Sequence, residues 1–163
     1  MENLITATFR THLAAQDALQ KLEAIGIEDS QISIVATDET RKGFNLETHS
    51  KADKGVAGGA TAGGIVGAAL GAVMAAGTIV IPGLSLVVTG VMAGALAGLA
   101  AGATTGGLIG GLIGAGIPEH EATIYEKELK SGAILIAVKA KDMGQKKRVK
   151  EALEHTEAYN LAA

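Results

Sequence analysis

The residues best suited to chemistry lie in the stretch "PEHEATIYEKE", which places Glu119, His120 and Glu121 side by side, with Glu126 and Glu128 further along. Carboxylates and imidazoles are common metal ligands, but a zinc-binding HExxH helix needs a second histidine four positions after the first. The stretch has only one. A solvated first helical turn explains the acidic residues better, because negative charge stabilises a helix N-terminus. We therefore expect no metal site and no cofactor.

The remaining nucleophiles give no catalytic pattern. The chain has no cysteine, and its serines lie in no nucleophile elbow. The stretch "GVAGGATAGG" contains G-x-x-x-x-G spacings, but no Lys-Ser or Lys-Thr pair follows them, as a phosphate-binding loop requires. We expect a protein that is not an enzyme and has no small-molecule substrate.

A basic cluster surrounds the predicted last helix. It consists of Lys139, Lys141, Lys146, Lys147, Arg148 and Lys150. A solvated helix face is the simpler interpretation, and contact with anionic lipid headgroups is the functional alternative. Nucleic acid is not expected as a partner, because acidic residues interrupt the cluster, the net charge is −3 and aromatic residues make up only 2% of the chain.

Charge is distributed very unevenly. Between Lys54 and Glu119 the chain has no charged residue, whereas both flanks are rich in charge. The sequence thus predicts two parts: a charged domain formed by residues 1–54 together with 118–163, and a neutral Gly/Ala-rich segment at 55–117.

Glycine recurs at a spacing of four through the neutral segment. The positions are Gly55, Gly59, Gly63, Gly67, Gly71, Gly90, Gly94, Gly98, Gly102, Gly106, Gly110 and Gly114. Glycine inside a helix costs about 0.5–1 kcal/mol relative to alanine. Rows of small residues at this spacing let two helix backbones approach closely. The pattern therefore predicts glycine-zipper helices that pack against one another and form a homo-oligomer.

The flanks predict two β-α-β units. In the first, strands at 4–9 and 31–36 enclose a helix that ends near Gly26; in the second, a strand at 133–140 precedes a helix with Asp142 as its N-cap and a short tail strand. A further helix at 119–131 begins after Pro118. This order favours an α+β, ferredoxin-like βαβ-βαβ sandwich interrupted by the neutral segment. Because the strand at 133–140 is apolar on both faces, we expect the 119–131 helix or a second subunit to cover its second face.

The neutral segment is long and apolar enough to suggest membrane insertion. Pro82 and Gly83 divide it into two predicted helices, roughly 55–80 and 84–116. Both ends must return to one sheet, so an even number of crossings is expected. Basic residues flank the segment and the turn has none, which predicts a transmembrane hairpin with both termini cytoplasmic.

Two stretches resemble a known family. "ITATFRTHLAAQDALQKLEAIGIEDSQISIVATD" is similar to the bacterial YflT-like general-stress domain, and "GIPEHEATIYEKELKSGAILIAVKA" resembles the second half of related stress-associated proteins with glycine-rich hydrophobic inserts. The two stretches together cover about 60 residues. The resemblance implies a bacterial protein with a general-stress or envelope role, so the membrane expected for the hairpin is the bacterial inner membrane. It implies no catalytic residue.

These observations lead to one functional expectation and two alternatives. We expect a membrane-anchored, oligomeric, stress-associated structural protein whose partners are the lipid bilayer and other copies of itself. The alternatives are a soluble self-assembling binding module and a membrane pore. Few polar residues in the neutral segment could line a pore, and a soluble module would purify without detergent.

Overall fold

The structure is a computed structural model that describes residues 3–40, 78–81, 84–90, 92–94, 96 and 107–163. Its strands are β1 (Leu4–Phe9), β2 (Ile32–Thr37), β3 (Thr78–Ile81), β4 (Leu84–Val88), β5 (Ile134–Lys139) and β6 (Leu161–Ala162). Its helices are α1 (His12–Ala24), α2 (Gly107–Gly114), α3 (Glu119–Lys130) and α4 (Met143–Glu154), with a short 3-10 turn at Asp29–Gln31.

The strands form one antiparallel sheet in the order β3-β4-β2-β5-β1-β6. β5 lies at its centre and pairs with β1 through Ile5↔Val138 and with β2 through Ile34↔Ile136. The predicted α+β class is confirmed in this form: a mixed helix and strand protein built on an antiparallel sheet.

Helices cover both faces of the sheet. On one face, α1 and α4 bury the apolar side chains of alternate strand positions, among them Ile5, Ile34 and Ile136. On the other face, Leu135 packs in a second core with Leu112 from α2 and Leu129 from α3. A strand that is buried on both faces must be apolar at every position, and β5 is buried from Ile134 to Val138. Of the two covers expected for this face, the 119–131 helix is the one that the structure shows, together with α2.

The helix ends follow from local residue chemistry. Thr11 caps α1 by accepting a hydrogen bond from the Ala14 N–H, and the Asp142 carboxylate caps α4 by accepting from Gln145. Acidic residues in the first turn of α3 and basic residues in its last turn both complement the helix dipole.

The structure corrects the predicted helical hairpin. Residues 78–80 and 84–88, which we expected to lie in two long helices, form the β3–β4 hairpin instead, together with Ile81, which we expected in the turn. The runs "TIVI" and "LSLVV" are rich in β-branched residues and are separated by two positions, a pattern that favours strands and a tight turn. The hairpin extends the sheet because β4 pairs with β2.

The predicted transmembrane hairpin is therefore also wrong. In the part of the chain that the structure describes, no helix is both long enough and apolar enough to cross a membrane. This finding overturns the predicted transmembrane helices and the inner-membrane localisation with both termini cytoplasmic. The pore alternative depends on the same spanning helices. The first predicted helix lies mostly at 55–77, outside the described residues.

Candidate functional site

The outer edge of the β3–β4 hairpin is the candidate functional site. β3 is the last strand of the sheet, and within the described residues no strand pairs with its outer side. An unpaired edge presents backbone N–H and C=O groups that can template pairing with another chain. Which backbone groups of β3 point outward depends on which residue pairs of the hairpin are hydrogen-bonded to each other.

The pairing of β4 with β2 shows which residues of β4 hydrogen-bond to β2 and which to β3. The Thr89 N–H donates to the Ile34 carbonyl at 2.9 Å, and these residues continue the register in which Val35 faces Val88. Hydrogen-bonded and non-hydrogen-bonded pairs alternate along an antiparallel ladder. Leu84 and Leu86 therefore direct their backbone groups toward β3, where they face Ile81 and Ile79.

The same alternation identifies the outward groups of β3. Because Ile79 and Ile81 bond to β4, Thr78 and Val80 direct their N–H and C=O groups away from the sheet. Each chain thus presents two donors and two acceptors along this edge. No charged residue occurs in β3 or anywhere between Lys54 and Glu119. The edge consequently lacks the charge that often prevents strand association.

The opposite edge of the sheet is short. β6 has only two residues, and it pairs with β1 through Thr6↔Ala162 and Ala7↔Leu161. Very short edge strands are one means by which proteins limit edge-to-edge pairing. The two edges of the described sheet are therefore unequal, and β3 offers the longer run of strand.

A turn after β4 holds the hairpin on the sheet. Gly90 has φ +73°, and a Cβ at this position would collide with the Ile32 carbonyl oxygen and lie 2.8 Å from Ser33 Oγ. Ser33 Oγ accepts from the Met92 N–H, and Thr89 Oγ1 accepts from the Ile34 N–H, both at 3.2 Å. Glycine is required here for backbone conformation and for close approach of two chain segments.

The structure changes the interpretation of the predicted glycine row. Gly90 lies in this turn and not on a helix-packing face, because its positive φ is incompatible with a right-handed helix. A Cβ at Gly94, Gly110 or Gly114 would meet no atom within 4 Å, so these glycines are not needed for close packing within the described chain. The other predicted positions lie outside the described residues; they are Gly55, Gly59, Gly63, Gly67, Gly71, Gly98, Gly102 and Gly106.

The basic cluster lies at the end of β5 and along α4, and several of its members face carboxylates. Lys141 donates to Glu28 at 2.6 Å, and this hydrogen bond lowers the pKa of Glu28. Lys147 and Lys150 form i,i+4 pairs of 3.8 Å and 3.9 Å, with Glu151 and Glu154 respectively. These pairs suit the solvated-face interpretation, and contact of the cluster with anionic headgroups stays a prediction.

The acidic stretch serves mainly to position α3. Glu119 and Glu121 lie in the first turn of the helix, and Glu126 pairs with Lys130. Glu128 lies 3.8 Å from Arg10, whose guanidinium also stacks 3.4 Å from the centre of the Tyr159 ring. Among the described residues no group of three His, Asp or Glu side chains could hold a metal ion.

A cleft of about 330 Å³ lies where β1 ends and α1 begins, beside Glu39 and Thr40. Its polar groups bond to one another across the cleft. His12 Nε2 lies 3.2 Å from the Thr40 carbonyl oxygen, and Thr40 Oγ1 donates to the Gly132 carbonyl at 3.1 Å. These contacts tie together the chain segments that follow β1 and β2 and precede β5, which indicates a structural role.

Tyr125 is the most deeply placed ionisable side chain of α3. It is 1% exposed, and its hydroxyl lies 2.7 Å from Thr6 Oγ1 on β1. Burial raises the pKa of Tyr125 to about 12 and also raises the pKa of the neighbouring Glu121. The Tyr125–Thr6 bond fixes α3 to the sheet on the side opposite α1.

Comparisons with known proteins identify no relative of this chain. No protein-family model matches it, and neither a curated protein nor a solved structure matches it. The resemblance to the general-stress domain therefore stays a prediction.

Sequence reasoning missed the β3 edge because it assigned the neutral segment to helices. The available signal was the pair of β-branched runs on either side of Pro82 and Gly83, which is typical of a hairpin. The spacing of the glycines obscured that signal.

Proposed function

We propose that this protein is a non-catalytic, self-assembling module that associates through the β3 edge of its sheet. The observation that supports the proposal is the uncharged outer strand, whose Thr78 and Val80 backbone groups have no strand partner within the described residues. Adding a strand to such an edge satisfies these groups with main-chain hydrogen bonds. The self-assembling alternative of the sequence analysis is thereby preferred to the anchored protein.

A finer description of the fold belongs to the same proposal. Without the β3–β4 hairpin, the strand order is β2-β5-β1-β6, and α1 and α4 share one face of the sheet. This order and this shared face support a ferredoxin-like β-α-β-β-α-β unit. The hairpin, α2 and α3 are then insertions between its second and third strands; the hairpin extends the sheet at the β2 side, and the two helices pack on one of its faces.

The general-stress context also belongs to the proposal and is supported by the sequence resemblance alone. A role in stress would be consistent with a scaffold whose activity is association. It adds no residue to the site.

Replacing Val80 by proline tests the proposal. Proline removes the outward N–H of Val80 but leaves the bonds between β3 and β4, which involve Ile79 and Ile81. We expect sedimentation velocity over a range of concentrations to show a reversible oligomer for the natural protein. The Val80→Pro variant should associate at least about tenfold more weakly, since one or more hydrogen bonds are lost at each interface.

Val80→Ala is the matched control because it shortens the side chain but keeps the backbone donor. It should associate like the natural protein, and thermal unfolding should show that all three proteins are folded. A natural protein that stays monomeric at every concentration would rule the proposal out. Equal association of the proline and alanine variants would show that association does not use the β3 edge.

A further inference from the structure

The outward backbone groups of β3 determine the register in which a second copy of the chain can pair with it. We propose that two chains join antiparallel through their β3 strands about a two-fold axis at Ile79, so that Thr78 of each chain faces Val80 of the other. This inference rests on the proposed function and deepens it by naming the partner and the register. The partner is a second copy of this chain.

The register follows from which backbone groups point outward. Within β3, Thr78 and Val80 are the residues that direct N–H and C=O groups to the outer side of the sheet. In an antiparallel pair, outward residues must face outward residues. A two-fold axis at Ile79 satisfies this condition for both residues of both chains. It forms four hydrogen bonds from the strand as described.

The neighbouring registers are less complete. An axis between Ile79 and Val80 would place an inward-bonded residue opposite an outward one, so the ladder could not form. An axis at Val80 would place Thr78 opposite residue 82, which is proline and has no N–H to donate. Among the residues that the structure describes in β3, the Ile79 axis is therefore the one that pairs both outward residues with outward residues.

The absence of charge favours a second copy as the partner. A strand that pairs antiparallel with a second copy of itself brings like residues together near the two-fold axis, so a charge there would meet a like charge. β3 has none, and the nearest charged residues along the chain are Lys54 and Glu119. Self-pairing of this strand therefore introduces no charge repulsion. A partner recognised by charge would find nothing on the strand to bind.

The lack of cysteine in the natural chain allows a direct test by single-cysteine cross-linking. In the proposed register, the two Ile79 residues form a non-hydrogen-bonded pair with Cα atoms about 4.5 Å apart, within the range that a disulfide spans. The Ile79→Cys variant of the full chain should be converted by mild oxidation mainly into a disulfide-linked dimer.

Val80→Cys is the matched control. Two Val80 residues lie diagonally across the axis, with Cα atoms about 8–9 Å apart, too far for a disulfide. This variant should cross-link at least about tenfold more slowly than Ile79→Cys. A mixture of Thr78→Cys and Val80→Cys chains of different tag length should nevertheless form a mixed dimer, because these two positions face one another.

The outcomes separate the register from the proposed function. If the natural protein associates but Val80→Cys links faster than Ile79→Cys, the Ile79 axis is wrong and self-association stands. If the natural protein associates and neither variant links, the partner of β3 is not a second β3. If sedimentation shows only monomers, both the inference and the proposed function fail.

Discussion

Gly90 is the residue where the two interpretations of the glycine pattern can be separated. Its backbone has φ +73°, and the space next to it is filled by the Ile32 carbonyl and Ser33. A side chain at this position would strain the backbone and displace β2. The residue thus acts in its own chain, whatever role the helical glycines have between chains.

We predict opposite effects for alanine at two of the glycines. Gly90→Ala should lower the free energy of unfolding by about 2–4 kcal/mol, because a left-handed conformation and a steric overlap combine. Gly110→Ala should raise it by about 0.5–1 kcal/mol, since Gly110 lies within α2 and a Cβ there meets nothing within 4 Å. Urea denaturation measures both.

The Gly110→Ala variant also tests the predicted helix packing between chains. If α2 glycines hold an oligomer together, this substitution should weaken association in sedimentation experiments even as it stabilises the helix. Unchanged association would remove Gly110 from the predicted zipper. A Gly90→Ala protein as stable as the natural one would contradict the described turn.

At the scale of elements, a buried hydrogen bond joins α3 to the sheet within an otherwise apolar layer. Tyr125 reaches Thr6 on β1 across the second core, where both residues are at most 2% exposed. Replacing Tyr125 by phenylalanine would leave the Thr6 hydroxyl buried beside an apolar ring. A buried polar group without its partner destabilises the folded state.

We predict that Tyr125→Phe lowers the free energy of unfolding by about 1–3 kcal/mol at neutral pH. The raised pKa of Tyr125 also makes the free energy of unfolding depend on pH in the alkaline range. The unfolded chain loses the tyrosine proton near pH 10.0, whereas the folded protein keeps it to about pH 12. Stability from this group is therefore complete below pH 10 and lost as the pH rises toward 12.

Chemical denaturation at several pH values checks this prediction. The natural protein should lose stability more steeply than Tyr125→Phe between pH 10 and 12. The double variant Thr6→Val with Tyr125→Phe should recover part of the loss at neutral pH, since both polar groups are then removed. Parallel pH curves for the natural and Tyr125→Phe proteins would contradict the assignment.

The elements of the charged flanks could be predicted from the sequence, whereas the signal for the outer hairpin competed with a helical one. Strand β1 and the N-cap Asp142 follow from local residue patterns, and the double-sided burial of β5 follows from its unbroken apolar run. The segment 78–88 carries two signals at once, β-branched runs and neighbouring glycine periodicity. Only tertiary pairing of β4 with β2 decides between them.

The candidate site was less accessible to sequence reasoning than the fold. Which β3 backbone groups face outward depends on the Thr89–Ile34 hydrogen bond, between residues that are remote in the chain. No residue type in the sequence indicates which backbone groups of β3 point outward. The sequence does encode the lack of charge on the strand, which is the property that permits association.

At the scale of the whole molecule, the basic cluster and the β3 edge belong to different parts of the sheet. The cluster follows β5 and lies along α4, whereas β3 is separated from β5 by β4 and β2. Electrostatic contacts between exposed groups weaken with salt, whereas main-chain hydrogen bonds between uncharged strands do not depend on screening. Ionic strength therefore distinguishes the two surfaces.

We predict that self-association of the natural protein changes by less than about threefold between roughly 0.05 and 1 M sodium chloride, because β3 has no charge for ions to screen. Sedimentation equilibrium at several salt concentrations measures the constant. A fall of about tenfold or more would assign association to the charged flanks, including the pairs of α4 with neighbouring carboxylates.

The central position of β5 also governs the order in which the chain can fold during synthesis. β1 and β2 do not pair with each other; each pairs with β5, which the ribosome makes only after the whole uncharged segment. At about 5–20 residues per second, β1 waits several seconds for a neighbouring strand, and β2 waits as long for β5, although its other neighbour, β4, is made earlier. During that interval the nascent chain exposes apolar strands together with a neutral segment, so binding of a chaperone to the ribosome-bound chain would protect it until β5 closes the sheet.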